Sequence, residues 1–246
     1  TQTIRRRVNM PRAGSTVLSA SIPPCGQTAD DTAMLALDVV EPMRVTIITP
    51  EPPASVARVP TADFSGEADY LALALTPLHF AKQKGDEPFR LRIASAQQWP
   101  EIEPKKDRVI VLAGAIPPDE RRRRAIEQFV YTGGGLLIAP HARIDTNAWN
   151  ASLWRDGGGV APASIESIQS ADADSEVADA NPGADDVVRL VGVSSTHPIF
   201  SFFAGRSDPL PPATVQRWLR FSPRPIDGVL ATLQSGDPLL LVRAYG

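Results

Sequence analysis

The sequence predicts an α/β fold. It reads as an open, mainly parallel sheet between two helical layers, preceded by a short β segment and closed by a β-rich tail. Three observations predict it. A short apolar run at residues 44–50 reads as a strand buried on both faces, and 107–114 and 136–140 read as further strands. Segments 66–84 and 117–132 carry apolar residues at helical spacing. With a further strand at 89–94, the order strand, helix, strand, strand, helix, strand is the sequence form of a parallel α/β sheet. The boundaries are a β-rich segment at 1–41 and an α/β domain at 42–246.

Taken in order, residues 3–8, 15–22 and 34–40 are runs of strand formers, the first two joined by a hairpin-type turn at Pro11-Arg12-Ala13-Gly14. Three such strands are too few for a domain and read as the end of a β-sandwich or an added sheet. Segment 66–84 reads as one helix with Tyr70, Leu71, Leu73, Leu75, Leu78 and Phe80 on its apolar stripe. The second helix opens with Pro117-Pro118-Asp119-Glu120, acidic residues at the positive end of its dipole. Its apolar set is Ala125, Ile126, Phe129 and Val130, and Gly133-Gly134-Gly135 stops it before the strand at 136–140. Residues 147–154 read as a short helix, 171–186 as an acidic exposed loop and 187–193 as a strand. Residues 214–221, 229–233 and 238–244 read as a closing antiparallel meander, with Ser235-Gly236-Asp237 as its last hairpin turn.

The 246 residues are 43% hydrophobic and 22% charged, which excludes a wholly disordered chain. No apolar run approaches the roughly 18–20 residues that span a bilayer, so direct membrane insertion is not expected of this segment. The chain lacks an initiator Met and ends inside what reads as a strand, so a piece of a longer protein is expected. A net charge of −3 supplies no basic field for nucleic acid. The single cysteine, Cys25, excludes an internal disulfide and a Cys-based zinc cluster.

Function in α/β sheets gathers at the carboxyl ends of the strands. None of the four ends offers Ser or Cys on a tight, Gly-flanked turn, so no nucleophile elbow is expected. His79, His141 and His197 have no metal-ligand spacing. Gly133-Gly134-Gly135 leaves a helix for a strand, the reverse of a phosphate cradle, and Gly157-Gly158-Gly159 lacks a following helix. The acidic residues at 172–186 do not follow a calcium-loop pattern, and Arg121 to Arg124 reads as a solvated helix face. Catalytic, cofactor and metal residues are therefore expected to be absent.

The residues Arg44-Val45-Thr46-Ile47-Ile48, Asp107 through Leu112, and Tyr131-Thr132-Gly133-Gly134-Gly135-Leu136-Leu137-Ile138 resemble class I glutamine amidotransferase-like domains, which are flavodoxin-like in architecture. More narrowly, Ala13-Gly14-Ser15, Asp30-Asp31, Pro42-Met43-Arg44-Val45, His197-Pro198-Ile199 and Gly236-Asp237-Pro238-Leu239-Leu240 resemble the version in planctomycete-type membrane proteins that carry BatA-like and von Willebrand factor A regions. The strand before Pro140-His141-Ala142-Arg143 brings no Cys, so the glutaminase nucleophile does not carry over. The resemblance implies a non-catalytic interaction or scaffold domain, itself soluble, within a larger membrane-associated bacterial protein, with protein partners. The alternative it implies is a sugar-like ligand binder or hydrolytic domain of the Cys-less, trehalose-utilisation type. His141, Arg143, Asp145 and His197 are its candidate ligand residues.

Overall fold

The computed structural model describes residues 8, 10, 13–23, 31–50, 66–82, 87–114, 117–141, 144–171, 188–194, 196–201, 214–224 and 228–246. All but the last residue of the first predicted strand, Pro11 and Arg12 of the turn after it, Cys25 and the acidic segment from 172 onward lie outside the described residues.

Strands β1 (Gly14–Ser21) and β2 (Thr32–Val39) pair antiparallel as a two-stranded ribbon, with Leu18 opposite Leu35. The parallel sheet follows: β3 (Met43–Thr49), β4 (Phe89–Ser95), β5 (Asp107–Ala113) and β6 (Gly135–Ala139), in the order β4-β3-β5-β6. Ile47 sits level with Ile93 on one side and Val111 on the other, and Val111 with Leu137. Alternate residues supply two cores, which is why the middles of β3, β5 and β6 are largely apolar, whereas β4, at one edge, places Arg90 and Arg92 between its apolar residues.

Helix α1 (Glu67–Leu75) covers the face carrying Val45, Ile47, Val111 and Ala113. Its buried face is Ala68 and Ala72 flanked by Leu71 and Leu75, while Tyr70 is 61% exposed. Small residues bring the helix close to the sheet, so the stripe expected from large side chains is rotated. The single helix expected over 66–84 is two. Pro77 has no N–H to continue α1 and pushes Thr76 out of helical geometry, and α2 (Pro77–Phe80) starts afresh. The opposite face carries Ile48, Ile110 and Leu112 and is covered by α3 (Glu120–Tyr131) through Ile126 and Phe129, both fully buried. Burial of such side chains stabilises by roughly 1.5–3 kcal/mol each. Asp119 caps α3 by accepting from Arg122 N–H at 2.9 Å. Among the strands, Asp107 is buried and satisfied by Thr46 Oγ1 at 3.0 Å and Glu103 N–H at 2.8 Å.

From here the fold departs from the three-layer, flavodoxin-like reading, which is corrected. Beyond α4 (Thr146–Trp149) and a π-helical turn at Asn150–Trp154, the chain builds antiparallel sheets instead of further βα units. Strand β7 (Ala163–Ser170) pairs with β10 (Arg217–Pro223), and their Ile165 and Leu219 enter the same core as Phe129, sharing a face expected to be helical. The last sheet runs β12-β11-β8-β9, from β8 (Val188–Val193), β9 (Thr214–Val215), β11 (Gly228–Leu233) and β12 (Pro238–Val242). A short helix, α5 (Pro198–Ser201), lies between β8 and β9. The predicted meander is corrected too. β11 and β12 form the expected hairpin, but β10 turns away to β7, because Leu219 gains burial in the main core that a meander edge would not provide.

Candidate functional site

The topological switch lies between β3 and β5, where the chain crosses to β4 beneath α1 on one side and to β6 beneath α3 on the other. Two side chains meet near it. Glu67, first residue of α1, rests against Gly114 at the end of β5, whose φ is +62°, with Oε2 3.1 Å from where a Cβ would stand. His141, two residues past β6, brings Nε2 to 3.9 Å from Glu67 Oε1, both side chains about half exposed. Gly114 N–H donates to Ala139 C=O at 2.7 Å, which binds the ends of β5 and β6 together.

Of the other ligand candidates, the two described ones are engaged elsewhere. Asp145 is spent as the N-cap of α4, accepting from Ala148 N–H at 3.0 Å. His197 serves the turn into α5, where its Nδ1 accepts from Ile199 N–H at 3.3 Å and its C=O from Phe200 N–H at 2.9 Å. Arg143 lies outside the described residues. Glu67 was not singled out from the sequence, where it looks like any first-turn carboxylate. Of the basic run, Arg122 is not a solvated residue. It donates to Ala96 and Gln97 C=O at 3.1 and 3.4 Å and lies 5.4 Å from the Trp99 ring, pinning the turn after β4 to α3. Among the described residues no cluster of His, Cys, Asp or Glu is placed to hold a metal ion.

A second feature runs along the outer edge of the parallel sheet, up to the carboxyl end of β6. A cleft of about 620 Å³ runs between β6, the outer strand of the parallel sheet, and β12, the outer strand of the last antiparallel sheet. β10 contributes Trp218, Leu219 and Phe221 to its lining, and Trp149 joins them. Neither Glu67 nor His141 reaches it. Among the described residues its charged lining consists of Arg217 and Arg243. Arg243 is fixed by donating to the carbonyls of Gly157, Gly159 and Ala161 at 2.7, 2.6 and 3.1 Å. Arg217 is exposed and forms no salt bridge with a described residue.

The wall on the β12 side is held by Asp237. Trp218 Nε1 donates to it at 2.6 Å, Arg220 Nε at 3.0 Å and Ser235 Oγ at 2.9 Å. Burial pushes the Asp237 carboxyl up, but these three hydrogen bonds and the Arg220 charge together hold it below its usual range.

No family model matches the chain, and no curated protein matches it in sequence. Solved structures do. The chain is similar to Cytoplasmic Protein STM1381 from Salmonella typhimurium LT2, with a TM-score of 0.53 and 16% identity over 82% of this chain and 84% of that one. It is likewise similar to Cytoplasmic Protein STM3548 from Salmonella typhimurium, with a TM-score of 0.52 and 17% identity over 82% and 83%. At this identity the likeness concerns the fold alone. No helix among the described residues is long and apolar enough to cross a membrane.

Proposed function

We propose that this chain is a non-catalytic interaction module of a larger, membrane-associated bacterial protein, and that its working face is the cleft between β6 and β12. The observation that carries the reading is a sizeable apolar concavity lined by Leu, Ile, Trp and Phe, which runs along the outer edge of β6 and does not include the Glu67–His141 pair. The membrane-associated context is carried by the sequence resemblance. The test is a photo-crosslinking residue at Leu137 or Leu239, which are 42% and 39% exposed on the two cleft walls, in the native cells. The expected result is a macromolecular adduct from both positions and none from Tyr70, remote on α1. Equal labelling from Tyr70, or no macromolecular adduct from the cleft, would sink the reading.

A small-ligand reading is favoured by one observation, the approach of His141 to Glu67 at the switch point. It requires the NMR titration of the His141 ring to move on adding a sugar, together with silence at the cleft positions.

A further inference from the structure

The two long walls of the cleft are outer strands. Among the described residues, β6 is bonded to β5 on one side only, and β12 to β11 on one side only. An unpaired strand edge exposes N–H and C=O groups that seek a partner. On β6 these groups can be assigned. Ala139 C=O accepts from Gly114, on the β5 side. Backbone groups alternate in direction along a strand, so Gly135, Leu137 and Ala139 face β5, while Leu136 and Ile138 turn theirs outward. Pro140 ends the edge, having no N–H to offer.

The cleft's chemistry is equally one-sided. Its lining is apolar apart from two arginines, and no described carboxylate lines it. Arg243 is committed to carbonyls, and Arg217 stands exposed at the start of β10 and forms no salt bridge with a described residue. β6 and β12 are each five residues long, which matches an extended segment of about five residues, or roughly 17 Å. A small apolar anion would meet Arg217 but would leave the Leu136 and Ile138 backbone groups unused. An extended peptide uses both.

Resting on the interaction reading above, we infer that the cleft binds an extended, acidic-apolar peptide segment of a protein partner by adding it as a strand to the β6 edge. Its backbone pairs with Leu136 and Ile138, its apolar side chains enter the cleft, and its Asp or Glu meets Arg217.

The probe is a displayed library of random decapeptides selected on the whole chain, with Leu239→Glu as the counter-selection. Leu239 is partly exposed, so this variant keeps the fold while placing a carboxylate in the cleft. Enriched peptides are expected to alternate apolar residues, to carry at least one Asp or Glu, and to protect the Leu136 and Ile138 amides from hydrogen exchange. N-methylating every second backbone nitrogen of a selected peptide should weaken binding about tenfold or more in at least one of the two frames. Arg217→Glu should weaken acidic peptides by a similar factor and restore binding when their carboxylate is changed to Lys.

Failure to enrich any cleft-dependent peptide overturns the inference. So does indifference to N-methylation in both frames, or displacement of the selected peptides by laurate without any amide protection. If crosslinking at Leu137 and Leu239 still captures a macromolecule in those cases, strand addition alone falls. If both experiments fail, the interaction reading falls with it.

Discussion

Asp237 ties the residue scale to the cleft, because one carboxylate holds the β11–β12 turn against β10 through Trp218 and Arg220. Its proton affinity is lowered in the folded chain, although burial opposes that, since three hydrogen bonds and the Arg220 charge favour the anion. A group depressed on folding contributes stability that is fully present above its unfolded value, about 3.9 for aspartate, and is lost as pH falls through the lower folded value. Urea midpoints should therefore fall below about pH 4 in the native chain. Asp237→Asn should be less stable at pH 7 and show a flatter acid limb. An unchanged acid limb in that variant would remove Asp237 from the account. Little of this was legible beforehand. Ser235-Gly236-Asp237 reads as a turn, and nothing local shows that Trp218 and Arg220 will reach it. The same holds for the site candidates. His141, Asp145 and His197 stand out by residue type, yet two of them turn out to be local caps. Glu67 becomes visible only when α1 is laid beside β5 and β6.

At the scale of elements, what the sequence reveals depends on whether the cause is local. The end of α3 is local. Gly133 N–H donates to Val130 C=O and Gly134 N–H to Phe129 C=O, both at 2.9 Å, and Gly133 takes φ +95°, the Schellman arrangement that ends a helix on glycine. Gly134 has a different reason to be glycine. A Cβ there would stand 2.3 Å from the buried Phe129 ring. Gly134→Ala should cost about 1–3 kcal/mol through overpacking, with Gly135→Ala milder because its nearest neighbour is Val109 Cγ2 at 3.3 Å. Urea unfolding of the pair would show whether the order holds. The segment after α4 has causes that are not local. Arg155, Asp156 and Gly157 all take positive φ, which costs non-glycine residues about 1–2 kcal/mol each. Arg224 and Arg243, distant in sequence, grip the carbonyls that follow, Arg224 reaching Gly157 at 3.0 Å. Arg243→Lys keeps the charge but loses the planar fork that spans three carbonyls. It should destabilise the chain by about 1–3 kcal/mol, with the loss showing first as faster proteolysis in the 155–161 segment. Loss of stability equal in all segments would mean the arginine anchors the whole fold and not this turn.

On the scale of the whole molecule, β3, β5 and β6 were readable from short apolar runs, a mark each carries alone, and β4 from apolar residues that alternate with Arg90 and Arg92. The antiparallel half was not. β7 carries Glu166 and Gln169 among its apolar residues, and its partner β10 lies beyond β8 and α5 in the chain. Its pairing is decided by which core Ile165 and Leu219 enter, a property of the assembled fold. The same reasoning ranks local stability. Ile47, Ile48, Ile110 and Leu112 are at most 1% exposed in central strands bonded on both sides, whereas Val17, Met34 and Leu35 in the β1–β2 ribbon are 63%, 74% and 57% exposed. A two-stranded ribbon in water is marginally stable, and local opening follows buried contact. Amides of β3 and β5 should exchange only through global unfolding. Those of β1 and β2 should exchange orders of magnitude faster, by local opening that is insensitive to low denaturant. Protection of the ribbon comparable to that of β3 would mean that its apolar faces are covered in solution. Dilution would then separate the causes, since protection lost with falling protein concentration identifies a second copy as the cover, and protection that persists places the cover within the chain.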